Sequence, residues 1–239
     1  GRFYLLPKIH KKDVPGRPVC SSNGCPTERI SALVDEAVKG YVPELPSYIK
    51  DTGDFLAKLD TLPDLPNDAW LVTWDVSSLY TNIPNDEGIR AVMEALARDP
   101  HRKLTPASAR KLLDLTLSQN VFEFNGRYYR QCGGVAMGTR VAPSLASLFM
   151  GRLETRLLDT DRKKPLVWWR FIDDIFSVFV GEEAELEEFH NYINNFHPTI
   201  KFTIEKSKES IPFLDTRVSL VGGRLIPSLY HKPTDTHSY

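Results

Sequence analysis

Two adjacent aspartates, Asp173 and Asp174, interrupt an otherwise apolar and aromatic stretch, VWWRFIDDIFSVFV. Two β-rich runs on either side of a polar break are typical of a β-hairpin with the break at its tip. Because both runs are almost wholly apolar, we expect the hairpin to be buried on both sides. Its like charges then repel each other beside a low-dielectric core. Asp is also a favoured turn residue, so a solvated turn is the alternative interpretation.

A third carboxylate, Asp75, ends the buried-type strand LVTW in WLVTWDVSSLYTNIP. If the two strand ends lie side by side, three carboxylates converge on a point that a hard divalent cation such as Mg²⁺ stabilises. The pattern therefore predicts phosphoryl transfer with two ions about 3.5–4 Å apart. Asp75 and Asp173 are the predicted shared ligands of both ions. Asp174 is predicted as a weaker or peripheral ligand and the backbone of Val76 as a further metal ligand, with Mn²⁺ as the alternative to Mg²⁺.

Charge is balanced over the whole chain but concentrated at its start. Thirty Lys and Arg against 31 Asp and Glu give a net charge of −1, which excludes a global basic field. The first 17 residues nevertheless hold five basic residues and one acidic residue, around a turn at Pro15 and Gly16. This predicts a basic hairpin, with Lys8 and Arg17 for a nucleoside triphosphate and Lys11 and Lys12 for a template backbone. A solvated edge hairpin is the alternative.

The other patterns mix helices with antiparallel hairpins and lack regular βαβ alternation, which predicts an α+β fold with a helix-backed sheet. Asn125 and Gly126 lie between two runs of β-formers in VFEFNGRYYRQ, as in a type I′ hairpin. Three cysteines without CxxC spacing indicate neither a disulfide framework nor a zinc site. No apolar run approaches the roughly 20 residues that span a bilayer, so no membrane partner is expected.

Six ordered motifs resemble those of reverse transcriptases. Their particular residues resemble those of the Penelope-like retroelements, which are relatives of telomerase reverse transcriptase. The motifs are LPKIHK with GRPV, LVTWDVSSLYTNIP, AMGTRVAPSLA, RFIDDIF, FTIEKS and IPFLD. The resemblance covers essentially the whole chain. It implies a right-hand polymerase with fingers and a palm, the palm being an antiparallel sheet backed by helices. Relatives usually carry a C-terminal thumb and often a GIY-YIG endonuclease, and we expect neither within this stretch.

The resemblance divides the chain into fingers at residues 1–60 and a palm at residues 61–239. Further fingers elements are interleaved at about residues 85–135, and a primer-grip hairpin lies near residues 211–230. Within the primer grip, Phe213 and Leu214 are expected to hold the primer, although a plain core strand would give the same pattern.

The resemblance also implies roles for individual residues. Asp75, Asp173 and Asp174 match the catalytic aspartates. The residues expected to contact the nucleotide are Lys8, Arg17, the steric gate Tyr80, Gln131, and the glycine-led turn at Gly138 and Thr139. Many reverse transcriptases have Gln before that glycine, whereas this chain has Met137, which we interpret as a packing residue. Lys206 is expected to protonate the leaving pyrophosphate, with a surface lysine as the alternative.

The resemblance implies an RNA-directed DNA polymerase that uses an RNA template, a DNA primer and deoxynucleoside triphosphates, acting in the nucleus. Two other functions remain open, because palms with paired aspartates also serve RNA polymerases and nucleotide cyclases. The Tyr80 ring argues against RNA synthesis, and the basic hairpin argues against a cyclase. A domesticated nucleic-acid-binding module with little activity is the non-enzymatic alternative.

Overall fold

The computed structural model describes residues 1–7, 14 and 16–231. Lys8, Lys11 and Lys12 of the predicted basic hairpin lie outside the described residues. The chain forms two compact units, one from Gly1–Leu45 and Ser78–Leu153, the other from Pro46–Ser77 and Glu154–Tyr239. The assignment of residue ranges to fingers and palm stays a prediction.

The described residues form helices and strands that mix along the chain, which confirms the α+β class. The helices are α1 (Glu28–Val38), α2 (Thr52–Leu59), α3 (Leu79–Asn82), α4 (Asn85–Arg98), α5 (Pro106–Ser118), α6 (Ala142–Leu157) and α7 (Glu183–Phe196), with a 3₁₀ helix at Lys39–Glu44. The strands are β1 (Arg2–Pro7), β2 (Gly16–Ser21), β3 (Trp70–Val76), β4 (Val121–Phe124), β5 (Arg127–Arg130), β6 (Val167–Phe171), β7 (Asp174–Phe179), β8 (Phe202–Ser207), β9 (Ser210–Phe213), β10 (Thr216–Val221) and β11 (Arg224–Leu229). Of these helices, none combines the length and apolarity that crossing a bilayer requires.

The first unit contains a four-stranded sheet in the order β2-β1-β4-β5. β1 and β2 pair antiparallel, as do β4 and β5, whereas β1 and β4 meet in parallel. The predicted type I′ turn between β4 and β5 is confirmed, because Asn125 and Gly126 have φ angles of +50° and +72°. Both residue types tolerate positive φ, so this hairpin is specified locally by its sequence.

The second unit is built on an antiparallel sheet in the order β6-β7-β3-β8. Helix α7 covers one face, where the Trp74 ring lies 5.6 Å from Trp168 and 6.0 Å from Phe189. The other face carries an aromatic cluster in which Phe176 lies 5.0 Å from Phe55 and 5.6 Å from Phe213. Because both faces are covered, β7 is buried from its second residue onward, as its continuous apolar pattern predicts.

We expect Phe176→Ala to lower the free energy of unfolding by about 3–5 kcal/mol, because it removes a ring in contact with three other aromatic side chains and leaves a cavity. Urea unfolding followed by tryptophan fluorescence measures the change. The control is Tyr128→Ala, whose ring is 78% exposed and whose removal should change stability by less than about 0.5 kcal/mol. A loss below about 1 kcal/mol at Phe176 would contradict this packing.

Candidate active site

Asp75 and Asp174 lie opposite each other on β3 and β7. Residues opposed in an antiparallel pair project from the same face, with Cα atoms about 4.5–5.5 Å apart. Both aspartates are exposed, whereas their chain neighbours Trp74 and Ile175 are buried. Like charges in this position destabilise a sheet, so the pair is a feature that stability does not explain. The sequence prediction that the two strand ends lie side by side is therefore met by the backbone.

Asp173 lies in the two-residue turn that joins β6 to β7, together with Ile172. The sequence pattern suggested that Asp173 and Asp174 would form the tip, but Asp174 is already the first residue of β7. The φ angle of Ile172 is +57°, while Asp173 is not among the residues of positive φ, which is the pattern of φ signs in a type II′ turn and not in a type I′ turn. The N–H of Val76 donates to the carbonyl of Asp173 at 3.0 Å and ties the turn to β3.

The residue types at this strand end suit a hard divalent cation, because Mg²⁺ accepts carboxylate oxygens. Among the residues that the structure describes, no three His, Cys, Asp or Glu side chains form a ready group of metal ligands. The backbone thus brings Asp75 and Asp174 into opposition and places Asp173 beside them. The convergence of the three carboxylates around two ions belongs to the proposed function.

The predicted primer-grip residues lie beneath the sheet face that carries Asp75. Leu71, on the same face of β3 as Asp75, belongs to one buried cluster with Phe213. Phe213 is only 4% exposed, so its ring packs in the core, as the plain-strand interpretation requires. Leu214 follows in the turn before β10, with a φ angle of +52°. A role in holding a primer stays a prediction for this hairpin.

Lys206 lies on the opposite face of the sheet from Asp75. It pairs with Val72, which is three residues from Asp75 on β3 and therefore projects from the other side. Its ammonium binds Glu183 at 2.8 Å and also binds Glu187, both on α7. Hydrogen bonds to Glu183 and then Glu187 raise the pKa of Lys206. These contacts favour the surface-lysine interpretation, and the role as general acid stays a prediction.

Gly138 is required by a close approach of backbone within the first unit. Its φ angle is +112°, and a Cβ there would lie 2.6 Å from the carbonyl oxygen of Cys20 on β2. The Ser22 hydroxyl donates to the Gly138 carbonyl at 2.7 Å, and the Cys20 N–H donates to the Met137 carbonyl at 2.9 Å. Thr139 is buried beside them. The neighbouring strand is thus the immediate reason for glycine here, and contact with a nucleotide stays a prediction.

The steric-gate candidate Tyr80 lies in α3, in the first unit, and is half-buried. Its carbonyl accepts from the N–H of Val135 at 2.7 Å. Gly134 has a φ angle of +73°, and a Cβ there would lie 2.5 Å from the carbonyl oxygen of Thr81. The glycine-rich loop is therefore fastened directly to the helix that carries Tyr80.

The Gln131 amide is used within the same loop. It donates to the Gly133 carbonyl at 2.9 Å and accepts from the Asn120 side chain at 2.8 Å. These two bonds hold the base of the loop. The predicted substrate-facing role of Gln131 is untested and stays a prediction.

One face of the four-stranded sheet carries arginine and tyrosine side chains that we call the Arg–Tyr face. The strand register assigns Arg17 to it, on β2, together with four residues that the sequence motifs do not indicate. Its members are Arg2, Tyr4, Arg17, Tyr128 and Arg130. All five are exposed, Tyr4 by 46% and Tyr128 by 78%. Glu123 also lies on this face and adds a negative charge.

The opposite face of this sheet packs aromatic rings against one another. Phe3 lies 5.3 Å from Phe122 and 5.2 Å from Phe124, and Phe122 lies 5.8 Å from Tyr129. Because side chains alternate along a strand, the sequence RYYR alone predicts that Tyr128 and Arg130 lie on one face of β5 and Arg127 and Tyr129 on the other. The missing information was which strand lies beside β4, because that decides which charges share a face.

Comparison with known proteins identifies one family by sequence and one shared fold among solved structures. The model of the reverse transcriptase (RNA-dependent DNA polymerase) family matches residues 9–222. No curated protein matches the chain.

Several solved structures share the fold at low identity. Apo telomerase from Candida tropicalis, truncated from its C-terminal domain, has a TM-score of 0.64 and 11% identity, over 95% of this chain and 55% of that one. Telomerase from Candida albicans in complex with a TWJ fragment of telomeric RNA has a TM-score of 0.70 and 11% identity, over 100% of this chain and 46% of that one. The BmCPV RNA-dependent RNA polymerase at elongation state has a TM-score of 0.64 and 13% identity, over 94% of this chain and 22% of that one.

These likenesses concern the fold alone, and they confirm the predicted polymerase architecture. This chain spans about half of the length of the telomerases, 55% and 46% in the two cases. The match over residues 9–222, in a chain whose paired strands oppose Asp75 and Asp174, assigns the protein to its family. This chain belongs to the reverse transcriptase (RNA-dependent DNA polymerase) family.

Proposed function

We propose that this chain is the polymerase part of an RNA-directed DNA polymerase that adds deoxynucleotides to the 3′ end of a primer. The observation that carries the proposal is the opposition of Asp75 and Asp174 on two paired strands, with Asp173 in the adjoining turn. Membership of the reverse transcriptase family supports the reaction class.

The reaction proposed is two-metal phosphoryl transfer. Asp75 and Asp173 would hold both ions, with Asp174 as a peripheral ligand and the backbone of Val76 as a further ligand. When bound there, Mg²⁺ would lower the pKa of the attacking 3′ hydroxyl and neutralise charge on the leaving pyrophosphate. The protein's own contribution is to hold these carboxylates in fixed positions. The sheet that carries them is packed on both faces, which makes it rigid.

Tyr80 is the proposed determinant of sugar specificity. A ring in this position fills the space of a ribose 2′ hydroxyl and so selects deoxynucleotides by shape. The bond between the Tyr80 carbonyl and Val135 supports the proposal, because it fixes the helix that carries the ring.

The Arg–Tyr face is the proposed surface for single-stranded template RNA. Exposed tyrosines offer stacking platforms for bases, and guanidinium groups pair with phosphates. Among the described residues, Arg2, Arg17 and Arg130 have no carboxylate partner within ion-pair distance. Their positive charge therefore remains available to a polyanion, and in the part of the chain that the structure describes Glu123 is the one acidic residue of this face.

The other parts of the proposal rest on the residues of the six sequence motifs. We propose that the chain derives from a Penelope-like retroelement and acts in the nucleus on an RNA template and a DNA primer. A thumb and a GIY-YIG endonuclease are proposed as further parts of the full-length protein. Lys8, with Arg17, is proposed to contact the nucleoside triphosphate, and Lys11 and Lys12 are proposed to contact the template backbone.

We expect Asp173→Asn to slow primer extension on an RNA template with Mg²⁺ by at least about 100-fold, or about 2.7 kcal/mol in the barrier. The measurement is single-turnover incorporation of one deoxynucleotide. The control is Asp68→Asn, an exposed carboxylate of the same unit, which should keep the parental rate. Equal rates for the two variants would refute the ligand role. A parental chain that binds primer and template without extending them would instead indicate the binding-module alternative.

We expect Tyr80→Ala to raise the ratio of ribonucleotide to deoxynucleotide kcat/KM by at least about tenfold, because the space of the ring becomes available to the 2′ hydroxyl. Tyr80→Phe keeps the ring and should keep the parental ratio. Steady-state incorporation of the two nucleotide types on one template measures both. An unchanged ratio in Tyr80→Ala would remove the steric-gate assignment.

We expect Arg130→Gln to weaken binding of single-stranded RNA and to reduce the slope of log K against log salt by about 0.7, the value for one phosphate contact. Tyr128→Ala should weaken binding by about tenfold through lost stacking. Fluorescence anisotropy with a labelled oligonucleotide over a salt series measures both. The matched control is Arg127→Gln, which removes the same charge from the opposite face of the hairpin. If Arg127→Gln has the same effect as Arg130→Gln, the face assignment is wrong.

A further inference from the structure

A buried ion pair lies next to the turn that carries Asp173. The side chains of Arg170 and Glu154 are only 2% and 4% exposed. The Arg170 Nε donates to Glu154 Oε1 at 2.7 Å, and its Nη2 donates to Oε2 at 3.2 Å. This is the bidentate geometry in which a guanidinium is held in a fixed plane.

Glu154 is itself held by two further donors. The Ser47 hydroxyl donates to Oε2 at 2.6 Å, and the Trp168 indole donates to Oε1 at 3.0 Å. The main chain of Arg170 is also anchored, since its carbonyl accepts from the Ile49 N–H at 2.9 Å. Both ends of the ion pair are therefore immobilised by neighbouring elements of the second unit.

The guanidinium also contacts the turn. Arg170 Nη1 donates to the carbonyl of Ile172 at 3.1 Å. That carbonyl belongs to the central peptide of the turn, between Ile172 and Asp173. The orientation of this peptide distinguishes a type II′ turn from a type I′ turn, in which Asp173 would also have positive φ.

The sequence of the turn does not select this geometry by itself. A type II′ turn prefers glycine at its first central position, whereas this turn has the β-branched Ile172 with a φ angle of +57°. A β-branched residue is a genuine outlier at positive φ, so surrounding structure must enforce it. The Arg170 bond acts directly on the peptide between Ile172 and Asp173.

We propose that Arg170, held by Glu154, is a positioning residue that fixes the Ile172–Asp173 peptide and thereby the Asp173 carboxylate. The proposal rests on the proposed function in so far as Asp173 is a metal ligand. A buried ion pair is often replaceable by apolar residues without loss of stability, so its position beside this turn is better explained by geometry than by stability.

The test is amide hydrogen exchange in a variant that removes both charges, Arg170→Met with Glu154→Gln. Removing both avoids an orphaned buried charge. The reporter is the Val76 N–H, which donates to the Asp173 carbonyl at 3.0 Å. Its exchange should become at least about tenfold faster. The internal control is the Leu166 N–H, which donates to the Val178 carbonyl at 2.7 Å at the far end of β7 and should keep its rate.

A rescue separates positioning from general packing. Adding Ile172→Gly to the double variant supplies the residue that a type II′ turn prefers, and it should restore slow exchange at Val76. Equal acceleration at Val76 and Leu166, or no acceleration at Val76, would overturn the proposal. If the double variant does not fold, Arg170→Lys is measured in the same way, because an ammonium cannot replace the fork that joins Glu154 to Ile172.

Metal binding and turnover then distinguish this inference from the proposed function. Mn²⁺ titration followed by electron paramagnetic resonance should show at least about tenfold weaker binding in the double variant, recovered by Ile172→Gly. Unchanged Mn²⁺ affinity despite faster Val76 exchange would overturn the link to the carboxylate. If the variants show the expected exchange changes at Val76 but the parental chain neither binds Mn²⁺ nor extends a primer, the proposed function fails while the fixing of the turn stands.

Discussion

The register between β3 and β7 is the constraint on which the candidate site depends. Because side chains alternate along a strand, a slip of one residue would move Asp75 to the α7 side of the sheet. Apolar residues on both faces prevent such a slip: Leu71 and Phe176 belong to one buried cluster, and Trp74 packs against α7. The hydrophobic core therefore sets the position of charges that are themselves exposed. Opposed carboxylates at a sheet end are a cost to stability that the core offsets.

The two units restrain their candidate residues by different means. In the first unit, Gly134 and Gly138 let backbone approach to distances at which a Cβ would clash. In the second unit, Ile172 has positive φ without the freedom of glycine, and a buried arginine bonds to its carbonyl. Close backbone contacts thus hold the glycine-rich loop of the first unit. A side-chain bond from Arg170 holds the turn at Ile172 in the second unit.

Much of this arrangement could be predicted from local patterns. The type I′ turn at Asn125 and Gly126 was predicted correctly, because both residue types prefer the required φ. The buried hairpin around Asp173 was also predicted, although its turn is shifted by one residue. That shift could not be predicted, because local propensity opposes Ile at positive φ. The ion-pair partners of Lys206 could not be predicted either. Glu183 and Glu187 lie on α7, and the position of α7 against the sheet depends on tertiary packing.

The sequence by itself determined which segments form strands and helices, that three aspartates end or interrupt buried strands, and which family the motifs resemble. It did so because apolar periodicity and turn residues act over short distances along the chain. Only the tertiary structure decided which residues share a face: Asp75 with Asp174, Lys206 with α7, and Tyr128 with Arg17. Faces follow from strand order and register, which depend on contacts between residues far apart in sequence. The clamp from Glu154 through Arg170 to Ile172 is of the same kind, because it requires a helix, a strand and a turn to meet.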